Sequence, residues 1–349
     1  QVTVDDDQVD SVIEYNEEYR LLVEEQFVLY WENIFAVRET DPGAQQEIYE
    51  LINRLVDDPA IPIGLPPQAN TLGAPFTSKD ILKAVHGSGL DKSSGSDSVP
   101  TEFYRIHGDL GEQKKGHPDL YTWLAKVHHE SVAIGELPES CRKIVIRLLF
   151  KKITIDEKTQ KRNWRPISLL QTLYRIFAKV LQLQLNPFMQ YIVPEFQSAV
   201  PGRTISDGIF PVQSLHHRAN NRPDQPGGAL IFIDYAKAFD SVDHGFIKGV
   251  LTALRFPTPF IDMIMMSYKN MSAQLIINGH LTRTFDLPSG GRQGDPVFPL
   301  IFNLVILPLA LLIEHRPFDG IPIIDGNDLI KDKIHQYVDD CLIGIGSER

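Results

Sequence analysis

The sequence predicts a mixed α+β fold, helical at its amino-terminal end and built afterwards from hairpins interleaved with helices. Three observations predict it. Apolar residues recur at three- and four-residue spacing over residues 12–36 and again from Leu170 to Leu185, the period of amphipathic helices. Runs rich in β-branched and apolar residues are broken by turn chemistry over 143–170, 273–285 and 334–346, a pattern of hairpins. The chain has 349 residues, 43% hydrophobic and 23% charged, which suits two domains or one elaborate one and excludes a disordered, collagen-like or disulfide-stapled chain.

The elements follow in order. Val12, Ile13, Val23, Phe27, Trp31, Ile34 and Phe35 lie near one stripe of a first helix, and a second helical stretch over about 44–56 follows Pro42-Gly43. Residues 57–76 are rich in Pro, Gly and Asn and read as a linker between domains. Thr77 or Ser78 then caps a short helix with Asp80 in its first turn. KIVIRLLF (143–150) and WRPISLL (164–170) flank a charged segment and predict a long hairpin. The helix from Leu170 to Leu185 keeps Arg175 and Lys179 on its wet side. ALIFIDY (229–235) is nearly continuous in apolar residues and predicts a buried strand. Asn278-Gly279 sits between two strand-like runs and predicts a tight hairpin. Residues 297–313 are the most hydrophobic stretch. Pro299, Asn303, Pro308 and a length short of the roughly 18–20 residues of a membrane span make it a buried core helix. IHQYVDDCLIGIG (334–346) reads as a strand, a two-residue turn at Asp339-Asp340, and a strand.

Charge is unevenly placed. The net charge is −11, yet residues 1–60 alone carry −13, and residues 142–179 carry +9. The overall acidity therefore does not exclude a polyanionic partner, because a basic stretch lies within it. The two cysteines, Cys141 and Cys341, cannot build a thiolate metal site or a disulfide framework, and a reducing, intracellular location is expected, nuclear or cytoplasmic. The chain starts at Gln1 without a basic-and-apolar leader and looks cut from a longer protein.

Two places put carboxylates at the end of an apolar strand: Asp234 ends LIFID, and Asp339-Asp340 interrupt HQYVDDCLI. Turn formation explains either one alone. Together they suggest a cation site, since adjacent carboxylates repel unless neutralised and Mg²⁺ takes one or two carboxylates with substrate phosphates. Carboxylates on neighbouring strand ends suit two ions about 4 Å apart and nucleotidyl transfer. A third element, LPSGGRQGDPVFPLIFNL (287–304), offers glycines for close backbone approach, Arg292 and Gln293 as donors, and Asp295-Pro296 at the start of the hydrophobic helix.

FIDYAKAFDSVDH (232–244), GGRQGDPVFPLIFNL (290–304) and YVDD (337–340) resemble the successive motifs of reverse transcriptases, most closely those of non-LTR (LINE-type) retrotransposons. KSSGSDSVPTEFY (92–104), RLLFKK (147–152), NWRPISLLQTLYRIFAKVL (163–181) and FQSAVPGRTISDGI (196–209) extend the resemblance, which runs from about residue 77 to the end. It implies the fingers and palm of a right-hand polymerase, with an antiparallel palm sheet backed by helices. The divisions would be an acidic helical segment at 1–60, a linker at 61–76, fingers at 77–230 and palm at 231–349. The thumb would be absent, and the endonuclease and thumb expected elsewhere in the parent protein.

The resemblance further implies RNA-templated DNA synthesis from dNTPs on a DNA primer, with two Mg²⁺ ions (or Mn²⁺) and no membrane. Asp234, Asp339 and Asp340 match the catalytic, metal-binding carboxylates. Tyr235 would lend its carbonyl to the nucleotide-side metal. Phe239 matches the gate against a ribose 2′-hydroxyl, and Gln293 a contact to the nucleotide or template. Lys151 and Arg165 match the basic pair on the triphosphate, with Lys152 as the alternative to Lys151. The sequence departs from the family pattern at Ser98 (Gly expected), Phe150 (Pro expected), Phe298 (Ser expected, and a ring large enough to crowd the site) and in SAVPGR, which lacks a Gly-Phe pair. An inactive nucleic-acid-binding remnant of a mobile element and an RNA-dependent RNA polymerase share parts of the pattern. The pairs His128-His129 and His216-His217 read as surface or core histidines, and Ser289 lacks the elbow of a serine hydrolase.

Overall fold

Capping and turn chemistry set the local elements where the sequence places them. The computed structural model describes residues 17–61, 63–112, 119–151, 157–158, 160–195, 197, 199–204, 206, 209, 213, 228–317, 320–325 and 328–346. Helices α1 (Glu17–Phe35) and α2 (Pro42–Asp57) open the chain, and Asp41 caps α2 through the N–H groups of Gly43 and Ala44. Helix α3 (Ser78–His86) begins with a capping box between Thr77 and Asp80, satisfying N–H groups that a helix start leaves unpaired. Helices α4 (Thr101–Glu112) and α5 (Leu120–Ile134) follow.

Strands β1 (Lys143–Phe150) and β2 (Trp164–Leu169) form the predicted long antiparallel hairpin. Its closing pair is Phe150 against Trp164, with ring centroids 5.2 Å apart, so the phenylalanine at the expected proline position makes a cross-strand aromatic contact. Helix α6 (Thr172–Leu185) buries Tyr174, Ile176, Phe177, Val180, Leu181 and Leu185. Then come β3 (Gly228–Asp234), α7 (His244–Ala253), α8 (Thr258–Tyr268), β4 (Ser272–Ile277), β5 (His280–Leu281) and β6 (Phe285–Asp286). Asn278 (φ 49°) and Gly279 (φ 83°) make the two-residue turn between β4 and β5, as the Asn-Gly pair predicts. Helix α9 (Phe298–Glu314) is the hydrophobic stretch, buried along most of its length. No helix among the described residues is long and apolar enough to cross a membrane. Strands β7 (Ile321–Asp325) and β8 (Asp328–Asp332) pair with each other, and β9 (Ile334–Tyr337) and β10 (Asp340–Gly346) end the described chain.

Two sheets matter for the site. In one, β1 pairs antiparallel with β2 and parallel with β4, which carries β5 and β6. In the other, β10 lies between β3 and β9, antiparallel to both. One face of this three-stranded sheet packs Ile233, Ile334, Cys341 and Ile343 against Ala310 and Ile313 of α9. The opposite face is open at its β3 side and at its carboxylate end: Leu342 of β10 is buried there, but Phe232 is 73% exposed, and Asp234 and Asp340 are exposed. The expectation of a buried β3 is thus corrected, because a strand is buried on both faces only when both are covered, and α9 covers one. The amino-terminal helices join the main core, which runs from Val28, Trp31 and Phe35 through Ile52 and Leu55 to α6, α8 and α9.

Candidate active site

The carboxylates meet at one end of the three-stranded sheet. Asp234 ends β3 and Asp340 opens β10, and the two are direct partners across the antiparallel ladder. Direct partners share a sheet face, so both acids lie on the open one. The tip of the β9–β10 hairpin is Val338-Asp339, one residue earlier than expected, and Asp340 already belongs to the strand. Val338 has φ 57°, a conformation that costs a β-branched side chain about 1–3 kcal/mol. Its N–H donates to Oε1 of the buried Gln197 at 3.3 Å.

Asp339 has its carboxyl pushed up, first by burial and then by the neighbouring negative charges of Asp340 and Asp234, while its own backbone N–H and Arg165 act the other way. Among the described residues, no three or more His, Cys, Asp or Glu side chains come together so that they could hold a metal ion. Asp339 and Asp340 are consecutive, so their side chains leave the ribbon in different directions. The donors are nonetheless all hard oxygens under mutual repulsion, which fits a divalent cation that takes the rest of its ligands from water and phosphate.

A second group lies around the turn Phe239–Ser241. Phe239 stacks on Phe302 with centroids 4.5 Å apart and meets Phe298 edge-on at 5.2 Å. The glycine-rich loop is bonded to this turn: the Gly290 N–H donates to the Val242 carbonyl and the Gly291 N–H to the Phe239 carbonyl, both at 2.7 Å. A Cβ on Gly290 would lie 2.4 Å from the Asp240 carbonyl oxygen, so only glycine permits this approach. Gln293 donates through Nε2 to Asp240 at 2.9 Å, and its carbonyl accepts from Ser168 at the end of β2. Arg165, exposed on β2, lowers the Asp339 carboxyl and presses on Lys237, while Lys151, at the end of β1, acts on Lys237 and Asp240. Tyr235 packs its ring with Ile233 on the helix-backed side of the sheet, and burial raises its hydroxyl. Lys152 and the pair His216-His217 lie outside the described residues.

Residues 155–349 match the sequence profile of the reverse transcriptase (RNA-dependent DNA polymerase) family. The chain belongs to that family. It is 32% identical over 291 residues, 82% of its length, to the uncharacterized 149 kDa protein of transposon TX1 from Xenopus laevis, of which it covers 20%. It is 29% identical over 178 residues, 49% of its length, to the Pol polyprotein of the type-2 retrotransposable element R2DM of Drosophila melanogaster, of which it covers 16%. It is 22% identical over 239 residues, 66% of its length, to the probable RNA-directed DNA polymerase from transposon BS of Drosophila melanogaster, of which it covers 24%. It is thus a reverse transcriptase domain of the non-LTR retrotransposon type, spanning about a fifth of the length of the curated relatives it matches.

The reverse transcriptase domain departs from the sequence reading in two ways. Arg292 does not present its donors to a ligand. It is 2% exposed, donates to the carbonyls of Ser267 (2.6 Å) and Cys141 (3.2 Å), and lies 3.8 Å over the Tyr174 ring. Phe298 does not crowd the site. It is 0% exposed and lies under Gly291, where a Cβ would come within 2.1 Å of its ring. Ser98, at an expected glycine, has φ 57°, the left-handed conformation that glycine adopts at least cost. His128 is a core histidine, stacked on Phe76 at 3.6 Å and driven to a pKa of about 3 by burial, then by His129.

Two residues of this reverse transcriptase domain escaped the sequence reading. Asp240 is 2% exposed, and burial pushes its carboxyl up to about 6 against the pull of Gln293, Lys237 and Lys151. The available signal was its place beside Phe239. Lys237 has φ 56°, donates to the Trp164 carbonyl at 3.0 Å and sits 4.1 Å over the Trp31 ring. No local pattern announces a partner two hundred residues away.

Proposed function

We propose that the domain synthesises DNA on an RNA template, transferring nucleotides from dNTPs to the 3′-hydroxyl of a DNA primer. The observation that carries this reading is the facing pair Asp234 and Asp340 with Asp339 at the adjoining tip, whose carboxyl the Arg165 charge lowers. Asp234, Asp339 and Asp340 would hold Mg²⁺, or Mn²⁺ in its place, with the Tyr235 carbonyl assisting. Bound there, the ions supply charge neutralisation for the attacking and leaving oxygens.

The chain's own side chains would do the rest. Arg165 and Lys151 clamp the triphosphate, where a guanidinium matches phosphate oxygens in pairs. Phe239 occupies the space of a ribose 2′-hydroxyl, and its stacking on Phe302 keeps that ring from yielding. Gln293, held by Asp240, presents a fixed edge to the nucleotide or template. In this reading 77–230 forms the fingers, 231–349 the palm, 1–60 an acidic helical segment and 61–76 its link. A thumb and an endonuclease belong to the parent protein, which works inside the cell, in nucleus or cytoplasm.

Primer extension by the full-length protein on an RNA template, with Mg²⁺ and dNTPs, tests it. The expected result is extension that disappears in the Asp339→Ala, Asp340→Ala double variant. Extension that survives both changes, or none from the wild type, sinks the reading. Phe239→Ala is expected to admit rNTPs.

A further inference from the structure

Helix α1 contacts three segments that flank the proposed nucleotide site: the approach to β2, the link between β5 and β6, and the edge of the glycine-rich loop. Its Phe27 meets Trp164 edge-on, with centroids 6.2 Å apart. Gln26 accepts from Lys161 at 2.9 Å, ahead of β2. Glu25 and Glu32 hold Arg283 between β5 and β6, with contacts from 2.7 to 3.3 Å. The Phe35 carbonyl accepts from Ser289 at 2.7 Å, at the edge of the glycine-rich loop.

At the centre of these contacts stands Trp31. It is 0% exposed, with its Nε1 buried and unpartnered among the described residues. A phenylalanine would fill this place without leaving a buried N–H unpaired. What the indole adds is the ring face that binds a cation best, and the Lys237 ammonium lies 4.1 Å from its centroid. The same ammonium donates to the Trp164 carbonyl at 3.0 Å. Trp164 is the residue before Arg165, and Lys237 is the third residue after Asp234. One indole therefore ties the start of β2 to the loop after β3.

We propose that Trp31 is a positioning residue of the nucleotide site: its ring holds Lys237 on the Trp164 carbonyl and thereby fixes the backbone that presents Arg165. This rests on the polymerase reading above. It also gives the acidic amino-terminal segment a task in nucleotide binding, through a helix that itself touches no nucleotide.

The test is steady-state extension by the full-length protein on one primer–template, with Trp31→Phe, Trp31→Leu, Lys237→Met and the Trp31→Leu, Lys237→Met pair. Thermal midpoints keep the assay below unfolding. The KM for dNTP is expected to rise in the order Trp, Phe, Leu at position 31, by about tenfold for Trp31→Leu, with kcat and primer–template affinity little changed. Lys237→Met is expected to match that rise, and the pair to be no worse than Lys237→Met alone. Additive effects in the pair, or an unchanged KM in the single variants while the wild type extends primer, overturn the proposal and leave the polymerase reading standing. If Trp31→Leu does not fold, Trp31→Phe and Lys237→Met carry the same comparison. A wild type that extends nothing overturns the polymerase reading and this inference with it.

Discussion

Two groups of acids in this molecule obey opposite rules. Asp295 sits at the start of α9, fully buried, and burial raises its carboxyl. The Tyr174 hydroxyl, the Arg292 guanidinium and the N–H groups of Val297 and Phe298 all pull it back down. Asp339 is half-buried, and after burial the strongest side-chain influences on it, Asp340 and Asp234, push the same way. Only its own N–H and Arg165 oppose them. An acid whose needs the fold has met holds the fold together. An acid that the fold leaves among other acids is available to a cation and a substrate. The two lie in neighbouring motifs, so motif membership alone does not sort them; partners do.

That contrast breaks if the two respond alike to neutralisation. Asp339→Asn is expected to lower primer extension by about a thousandfold or more, because it removes a charge that the proposed mechanism needs in the transition state. Its unfolding free energy in urea should stay within about 1 kcal/mol of wild type, since the lost charge was repelled by its neighbours. Asp295→Asn is expected to do the reverse. It weakens the buried bonds that the Tyr174 hydroxyl and the Val297 N–H donate to the carboxylate, at a cost of about 1–3 kcal/mol. Its remaining activity should follow the folded fraction. Equal destabilisation by the two changes would remove the distinction.

The sequence made the open group easier to read than the closed one. Acids at the ends of apolar runs stand out locally, as do the Asn278-Gly279 turn, the Thr77–Asp80 capping box and the apolar length of α9. Arg292 was misread because its neighbours along the chain, glycines and Gln293, suit a ligand, whereas its partners Ser267, Cys141 and Tyr174 come from distant segments. The burial of β3 was misread for a similar reason: apolar content does not say which sheet faces a helix will cover. The hairpin tip was read one residue late, since a valine with positive φ contradicts the turn preference that Asp suggests. The parallel pairing of β1 with β4 spans well over one hundred residues, beyond any local pattern.

Asp240 stands between the two groups, buried like Asp295 but bonded by one side chain, and its pH response sharpens the comparison. Its carboxyl is raised from 3.8 to about 6, chiefly by burial. The raised value means that the folded state favours the protonated acid. The stability this contributes is fully present below about pH 4 and is lost as pH rises through about 6. The shift corresponds to roughly 3 kcal/mol. Asp240→Asn stays neutral and keeps an oxygen for Gln293. Urea unfolding from pH 4 to 6.5 should therefore show wild type losing about that much relative to the variant. Parallel curves would mean that burial does not shift the Asp240 carboxyl.

The smallest effect concerns the packing that keeps the two groups apart. Phe298 fills the space under the glycine-rich loop, meeting Phe239 at 5.2 Å and Tyr268 at 6.4 Å, and it fits only because residue 291 has no side chain. A methyl group there would have to displace the ring of a fully buried phenylalanine, and interiors this dense give way at a cost of about 1–3 kcal/mol. Gly291→Ala is therefore expected to lower stability by that amount. Because the Gly291 N–H is bonded to the Phe239 carbonyl, the displaced loop should also loosen Phe239, and rNTP incorporation should rise. Shrinking the ring in Gly291→Ala with Phe298→Leu should recover part of the loss in both measurements. If the double variant is instead less stable than either single one, Phe298 is not the group that Gly291 accommodates. The large residue at the expected serine position would then need another explanation.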